Sequence, residues 1–159
     1  MRILHCLRAP VGGLFRHVLD LASEQAARGH EVGILADSNA ADRLTAPKFE
    51  AIEPAMKLGI SRIPMGRQPG LGDWQAYRSV LQHAQQLNLD VLHGHGAKGG
   101  AYARLAARSL KKQEQLVRAF YTPHGGSLNF KPSTLEGRVF LKIEGLLERH
   151  TDGLVFESA

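Results

Sequence analysis

The sequence of 159 residues has a single cysteine, Cys6, and no apolar run that approaches the ~20 residues of a membrane-spanning helix. One cysteine excludes an internal disulfide, and the apolar residues around Cys6 predict a buried, unreactive thiol. The N-terminal apolar run is too short for the core of a secretory signal peptide, and no small-residue cleavage site follows it. We therefore expect a cytoplasmic protein, with one domain formed by residues 1–159.

The chain also has fewer acidic than basic residues. The chain carries 20 Lys and Arg residues against 15 Asp and Glu residues, which gives a net charge of +5. This excess favours anionic partners such as nucleotides, phosphates or acidic membrane surfaces. We expect no nucleic-acid binding, because the sequence has neither a pattern of stacking aromatic residues nor a known nucleic-acid motif.

Two common nucleotide-binding fingerprints are missing after the first predicted strand. Residues 8–14 read Arg-Ala-Pro-Val-Gly-Gly-Leu, which matches neither Gly-x-Gly-x-x-Gly nor a P-loop. Dinucleotide binding and ATP hydrolysis are therefore disfavoured. Gly12 and Gly13 nevertheless precede a predicted helix, where bare backbone lets helix amides approach an anion. A tight turn explains the two glycines equally well.

Strand-like apolar segments alternate with helical segments along the whole chain. We predict strands at residues 2–7, 31–36, 59–64, 90–93, 116–121 and 152–156. Such alternation is typical of an α/β fold with parallel strands and right-handed crossovers. The prediction is a Rossmann-like sheet of order 3-2-1-4-5-6 with helices on both faces, in which strands 1 and 4 are neighbours.

The helical segments carry three local predictions. Asp73 is expected to cap the helix after strand 3, and Pro47 and Pro54 are expected to break the weak helical pattern of residues 39–57. Helical spacing predicts the inward faces of the first and last helices, which are Leu14, Val18, Leu21, Ala22 and Gln25 in the first and Leu135, Val139, Ile143, Leu146 and Leu147 in the last.

The loop after strand 4 is rich in histidine and glycine. Residues 93–100 read His-Gly-His-Gly-Ala-Lys-Gly-Gly. We interpret His93 as a packed strand-end residue and His95 as a residue that contacts a ligand, while Lys98 could meet a phosphate. Gly99 and Gly100 are costly in a helix, so they indicate close approach of the backbone to a ligand or to another element.

The loop after strand 5 has the same character. Residues 122–126 read Thr-Pro-His-Gly-Gly, and His124 could donate to a sugar hydroxyl or to a phosphate oxygen. In an open parallel sheet, loops at the carboxyl ends of strands form the ligand crevice. The three loops therefore predict a polar, anionic ligand at one edge of the sheet.

A His-x-His pair is also found in metal-dependent hydrolases. Such sites need further ligands, usually carboxylates at strand ends. Asp37 is available, but Asp90 begins its strand and would lie at the wrong end. We therefore expect no metal, and a metal-dependent hydrolase built on His93 and His95 is the least favoured alternative.

The order of these motifs resembles the N-terminal domain of group 1 glycosyltransferases (family 4-like) with the GT-B fold. The resemblance covers essentially the whole chain. Besides Gly12 and Gly13, it rests on five segments: Arg-His-Val-Leu-Asp-Leu-Ala at 16–22, Ala-Arg-Gly-His-Glu-Val at 27–32, Asp-Val-Leu-His-Gly-His at 90–95, Tyr-Thr-Pro-His-Gly at 121–125, and Glu-Arg-His-Thr-Asp-Gly-Leu-Val-Phe-Glu-Ser at 148–158.

The resemblance implies a function and roles for single residues. In that family two Rossmann-like domains enclose a cleft, and a sugar passes from a nucleotide-sugar donor to a saccharide or lipid-linked acceptor, with retention of configuration and without metal or other cofactor. We expect the pathway to be cell-envelope polysaccharide or glycolipid synthesis. His124 is the expected catalytic residue; Gly12, Gly13 and Gly125 are expected at the donor diphosphate, and His95, Lys98 and Arg16 at the acceptor.

One departure from the family pattern concerns its donor-binding half, which carries a Glu-x7-Glu motif. Glu136 and Glu144 stand at that interval, but they lie in the last predicted helix, and we interpret them as solvent-face charges. We expect this chain to be the first half of a longer protein and to be inactive without a C-terminal donor domain. The alternative is a stand-alone Rossmann-like binding module for a sugar phosphate or nucleotide.

The segment 131–150 combines an apolar face with the basic residues Lys131, Arg138, Lys142 and Arg149. Basic amphipathic helices bind anionic membrane surfaces. An ordinary solvated outer face has the same composition. Peripheral contact with the inner face of the membrane is therefore a prediction that needs its own test.

Overall fold

The computed structural model describes residues 1–125 and 133–157, with Glu136 through its backbone alone, and it contains one six-stranded parallel sheet. The strands are β1 (Arg2–Leu7), β2 (Glu31–Asp37), β3 (Ile60–Ile63), β4 (Val91–His95), β5 (Arg118–Thr122) and β6 (Gly153–Leu154). The helices are α1 (Gly12–Ala27), α2 (Thr45–Ile52), α3 (Gly72–Gln86), α4 (Gly96–Lys111) and α5 (Leu135–Glu148), with a 3₁₀ turn at Glu53–Ala55.

The order of the sheet is β3-β2-β1-β4-β5-β6, which confirms the predicted Rossmann-like order. β1 pairs with β2 on one side and with β4 on the other, and all pairs are parallel. From the central pair of β1 and β4, the sheet therefore extends through β2 and β3 on one side and through β5 and β6 on the other. This arrangement places the carboxyl ends of β1 and β4 side by side.

Helices cover both faces of the sheet, as predicted. Leu4 and Cys6 of β1 pack with α3 and α4 on one face. Leu7 of the same strand packs with α1 and α2 on the other face. The Cys6 thiol is fully buried, as predicted, and burial raises its pKa to about 12.

Three glycines bring α4 into direct contact with the sheet. A Cβ atom added at Gly99 would lie 2.5 Å from the carbonyl oxygen of Cys6, and one at Gly94 would lie 2.5 Å from Cα of Gly100. A Cβ at Gly100 would lie 2.3 Å from the ring of Tyr121 in β5. The close approach that Gly99 and Gly100 predicted is therefore to other parts of the fold.

Two expectations about helix ends are wrong. Leu71 is the N-cap of α3, and Asp73 lies within its first turn, where the carboxylate accepts hydrogen bonds from the Gly70 amide and from two side chains of α4. Pro47 does not break α2, because it lies in the first turn, where a missing N–H is tolerated. α2 does end before Pro54.

The inward face of α1 is rotated from the predicted one. Phe15 and Leu19 are buried beside Val18 and Ala22, whereas the predicted Leu14 and Leu21 are only partly buried. Phe15 packs edge-on against the ring of Phe49 in α2, with 4.8 Å between their centroids. The four buried residues follow the i, i+3, i+4, i+7 spacing of a helix face, so the sequence contained this face and the prediction chose the neighbouring one.

The prediction that the apolar stripe of α5 faces inward is wrong for four of its five residues. Only Leu147 is buried, while Leu135, Val139, Ile143 and Leu146 are 44% to 81% exposed. α5 lies on α4 through a narrow strip that includes Leu147, and it does not cover the sheet with its whole apolar face. No helix within the described ranges is long and apolar enough to cross a membrane.

Glu144 is a second correction in α5, because its carboxylate is not a solvent-face charge. It accepts two hydrogen bonds, of 2.8 and 3.1 Å, from the guanidinium of Arg104 in α4. Arg104 is almost fully buried, and its guanidinium stacks 4.0 Å from the ring centroid of Tyr121. A buried charge requires such a partner, so the pair fixes α5 against α4.

The contact of α4 with β1 predicts that Gly99→Ala lowers the free energy of unfolding by about 3 kcal/mol, since the new Cβ meets backbone atoms that cannot move aside. Gly145→Ala is the matched control. Its Cβ would enter open space in the middle of α5, and better helix propensity predicts a gain of up to about 1 kcal/mol. Urea denaturation measures both values; equal stabilities of Gly99→Ala and wild type would contradict the packing described.

Candidate functional site

The carboxyl ends of β1, β4 and β5 meet at one edge of the sheet, as the order of the strands requires. Each end leads into one of the three predicted loops. A cleft of about 620 Å³ opens there, lined by Arg8, Ala9, Leu14, Arg67, Gln68, Pro69, His95, Gly96, Ala97, Lys98 and Phe140. The prediction that the β1 and β4 loops face each other is confirmed, because both line this cleft.

His95 is the centre of a hydrogen-bonded line of side chains behind the cleft. Its Nδ1 lies 3.0 Å from Nε2 of His124, and its Nε2 lies 2.9 Å from Nδ1 of His5. His5 Nε2 in turn lies 2.8 Å from Oε1 of Gln25 in α1. The line therefore joins the last residue of β4, the loop after β5, the middle of β1 and the helix α1.

His93 has the structural role that its sequence context predicts. It is buried, and its Nε2 lies 2.9 Å from Oγ1 of Thr122 at the end of β5. Its ring is stacked against that of His95, with 4.1 Å between the centroids. His93 therefore fixes the neighbouring strand ends and the ring of His95 from the side away from His124.

Sequence reasoning missed three members of this site, which are His5, His17 and Glu157. His5 lies opposite His93 in the register of β1 and β4, so the sheet order together with strand alternation would have placed it beside the His-x-His pair. His17 projects from α1, with its ring 5.2 Å from that of His124. Glu157 follows the last predicted strand, so the predicted parallel order would have placed it at the same edge as His124, although a single carboxylate after a strand does not reveal its partners.

Burial lowers the pKa of four imidazoles of the site, those of His5, His93, His95 and His124. It lowers the pKa of His5 to about 4, although the hydrogen bond with Gln25 opposes the shift. Burial, followed by the neighbouring imidazoles, lowers the pKa of His93 and of His95 well below the usual value. The pKa of His124 is also lowered by burial, which outweighs the opposing charge of Glu157.

The backbone at His124 is in the left-handed region, with φ of 52°, and Gly125 follows with φ of 70°. This conformation is uncommon for a residue with a side chain, and it persists where surrounding contacts impose it. The His124 side chain is 5% exposed, and its Nδ1 lies 2.9 Å from Oε1 of Glu157. Gly126 and Lys131 lie outside the described residues.

The start of α1 presents open backbone at the cleft. α1 begins at Gly12, whose φ is 66°, and its N-cap Val11 makes no side-chain capping bond. A Cβ atom added at Gly12 or Gly13 would meet no atom within 4 Å among the described residues. The first amides of α1 receive no side-chain cap from Val11, and such uncapped amides are the groups that bind anions at helix N-termini.

A model of the glycosyl transferase 4-like domain matches residues 12–159. The chain belongs to this family. No curated protein sequence matches the chain. The family match and the sheet order agree with the resemblance that the loop motifs carry.

Three solved structures show the same fold. MurG of Acinetobacter baumannii has a TM-score of 0.63 and 17% identity, over 98% of this chain and 40% of that protein. Sucrose-phosphate synthase of Thermosynechococcus elongatus has a TM-score of 0.61 and 14% identity, over 96% of this chain and 41% of that protein. MnaA of S. aureus, in a structure with UDP, has a TM-score of 0.61 and 17% identity, over 98% of this chain and 38% of that protein. The chain therefore spans about 40% of the length of these proteins.

Lys98 and Arg16, the two cations expected at the acceptor, both pair with other residues of this chain. The Lys98 ammonium group donates to the carbonyl oxygens of Gly66 and Gln68 and to Oδ1 of Asp73, at 2.7, 2.8 and 2.5 Å. Arg16 is exposed and pairs with Asp20 one turn away, at 3.6 Å. Lys98 thus holds the loop before α3 against the start of α4, and the role of both residues toward an acceptor stays a prediction.

The anchoring of Lys98 predicts a pH-dependent contribution of Asp73 to stability. Burial raises the pKa of Asp73, but bonds from Lys98 and Tyr102 outweigh it and the net pKa is lowered. Such a group stabilises the fold above its unfolded pKa of about 3.9 and loses that effect as the pH falls through the folded pKa. Asp73→Asn should therefore cost about 1–2 kcal/mol at pH 7, and the cost should shrink below about pH 4.

Denaturation of Asp73→Asn and wild type between pH 2 and 7 measures this difference. Asp20→Asn is the control, because Asp20 is exposed on α1, and it should change stability little at any pH. A cost for Asp73→Asn that stayed constant down to pH 2 would contradict the ionic role of Asp73.

Proposed function

We propose that the chain is the acceptor-side domain of a glycosyltransferase that moves a sugar from a nucleotide-sugar donor to a saccharide or lipid-linked acceptor. The pathway we propose is cell-envelope polysaccharide or glycolipid synthesis, on the cytoplasmic side of the membrane. One observation carries the proposal: in a chain of the glycosyl transferase 4-like family, His124, in a left-handed conformation, lies at the same carboxyl edge of the sheet at which α1 begins.

The donor side of the cleft suits a diphosphate. The amides of Gly12 and Gly13 and the bare backbone of Gly125 would stabilise the charge that develops on the departing nucleotide, as oriented dipoles do in other active sites. Arg8 and Arg67 add positive charge to the lining of the cleft. This account needs no metal ion for departure of the nucleotide.

His124 would contact the transferred sugar or its phosphate in this proposal. Its ring is held between His95 and Glu157, so its orientation is fixed before a substrate arrives. His95 lines the cleft and would contact the acceptor. Arg16 and Lys98 would also contact the acceptor, but each would first have to leave its ionic partner, which is Asp20 for Arg16 and Asp73 for Lys98. Preorganisation of this kind favours electrostatic catalysis.

The chain spans about 40% of the length of the solved proteins it resembles, and we propose that a second domain, bearing the donor-binding residues, closes the cleft. The isolated 159 residues should then not transfer sugar. An incubation of the purified chain with nucleotide sugars and acceptors that gave product would contradict the need for a second domain.

The His124→Ala variant, made in the protein encoded by the complete reading frame, should lower kcat by about 100-fold or more, as loss of one catalytic hydrogen-bond donor does. Its thermal midpoint should fall, because the buried ring contacts His95 and Glu157, so kcat is compared at a temperature at which both proteins are folded. His150→Ala, at the far end of α5, is the control and should retain the wild-type rate. Wild-type turnover by His124→Ala would remove His124 from the mechanism.

Binding of nucleotide sugars by the protein of the complete reading frame, without transfer, would favour the alternative of a stand-alone binding module.

We also propose that α5 contacts an anionic membrane surface. The exposed apolar residues Val139, Ile143 and Leu146 lie on the same helix as the basic residues Arg138 and Lys142. A neighbouring groove of about 530 Å³ continues the apolar surface toward α3 and α4, and it includes Trp74, Arg108 and Lys112. Apolar surface flanked by cations is typical of helices that lie in a lipid interface.

Sedimentation with vesicles that contain phosphatidylglycerol tests the membrane contact. Retention at low salt should be strong, and Ile143→Ser with Leu146→Ser should reduce it by about tenfold or more, since each loses buried apolar area. Leu116→Ser is the control, because Leu116 is equally apolar and 94% exposed but precedes β5 at the opposite end of the sheet. Absence of retention at low salt would contradict the membrane contact.

A further inference from the structure

Three histidines of the site converge although they come from three different elements. His17 projects from α1, His95 ends β4, and His124 lies in the loop after β5. One ring nitrogen of each lies within 4.8 Å of the others. His17 has no part in the sugar chemistry proposed above, so its presence in the cluster calls for a separate explanation.

On each of the three rings, one nitrogen lies near another side chain. Nδ1 of His124 and Nδ1 of His17 lie 2.9 and 3.5 Å from the same oxygen, Oε1 of Glu157. Nε2 of His95 lies 2.9 Å from Nδ1 of His5. Metal-binding histidines characteristically give their second nitrogen to a carboxylate or similar partner, which fixes the tautomer and the direction of the ring.

The remaining nitrogen of each ring is Nε2 in His17, Nδ1 in His95 and Nε2 in His124. The last two lie 3.0 Å apart. Nε2 of His17 is buried and has no hydrogen-bond partner in the part of the chain that the structure describes. A buried polar atom without a partner is costly, and a ligand for this nitrogen would remove that cost.

The spacing of the His95 and His124 nitrogens is close to that of a tetrahedral metal site, in which metal–nitrogen bonds of about 2.05 Å place two imidazole nitrogens about 3.3 Å apart. The nitrogen of His17 lies within 4.8 Å of both, so its side chain would have to move toward them to complete the site. A second group, His5, His93 and His95, also lies within 4.8 Å, but all three of its side chains are buried, whereas His17 and His124 of the first group are partly accessible to an entering ion. The first group is therefore the better site.

We propose that His17, His95 and His124 form a binding site for one divalent transition metal of the zinc class, with Glu157 and His5 orienting the ligands. Imidazole nitrogen is a preferred ligand of Zn²⁺, and three histidines with one open position are a common ligand set. The metal supplies no step of the sugar transfer. Because it occupies His124, it acts as a reversible inhibitor, a consequence that rests on the proposed function, whereas metal binding itself does not.

Binding is tested on the purified chain with Co²⁺ as a spectroscopic probe and Zn²⁺ as its competitor. The expected result is one Co²⁺ per chain with the intense visible absorption of a tetrahedral site, displaced by one equivalent of Zn²⁺. His17→Gln should lower the affinity at least 100-fold, and Glu157→Gln about tenfold, as loss of an orienting carboxylate does. Circular dichroism shows that each variant is folded.

His150→Gln is the matched control, since it removes a histidine outside the cluster and should leave affinity unchanged. Absence of the tetrahedral Co²⁺ spectrum at millimolar metal would overturn the proposal. Equal affinities of His17→Gln and wild type, with both folded, would overturn it as well.

The inhibition is tested separately in the protein of the complete reading frame. Zn²⁺ should inhibit transfer, and EDTA should restore it. Each protein's rate with Zn²⁺ is compared with its own metal-free rate, and His17→Gln should show no inhibition on this scale. Stoichiometric metal binding to a protein that transfers no sugar would uphold the metal site and refute the proposed function. Transfer that is insensitive to Zn²⁺ in a protein that binds the metal would refute the inhibitory role.

Discussion

The contact between the backbone of α4 and the backbone of β1 determines the geometry of the whole site. Gly99 lets the first turn of α4 lie directly on Cys6 and Leu7, and Gly94 and Gly100 let the same turn approach the backbone of β4 and the ring of Tyr121 in β5. β4 can therefore run on to His95 before the chain turns into α4 at Gly96. A side chain at Gly99 would move α4 away from the sheet, and His95 would move with it.

The parallel order of the sheet then brings the other groups to His95. β1 and β5 flank β4, so the N-terminus of α1 and the loop at His124 lie on either side of the same strand end. Glu157 returns from beyond β6 to the same edge and faces both His17 and His124. The site is thus assembled from residues scattered between positions 5 and 157, and the sheet alone makes them neighbours.

Much of this architecture could be predicted from the sequence, because strand and helix periodicities are local. The order of the strands, the strand-end loops and the packed state of His93 all follow from short segments. The exposure of the α5 stripe and the burial of Glu144 could not be predicted, since both depend on how α5 meets Arg104 of α4. His5 and His17 were missed because each looks like an ordinary member of its own strand or helix.

The central claim is that this sheet edge is one wall of a nucleotide-sugar cleft, and a crystal structure of the protein of the complete reading frame with an intact nucleotide sugar tests it most directly. The account predicts the diphosphate at the first amides of α1, next to Gly12 and Gly13, and the sugar within about 3 Å of the His124 ring. A nucleotide sugar bound away from the carboxyl ends of β1, β4 and β5, with His124 making no contact to it, would contradict the account.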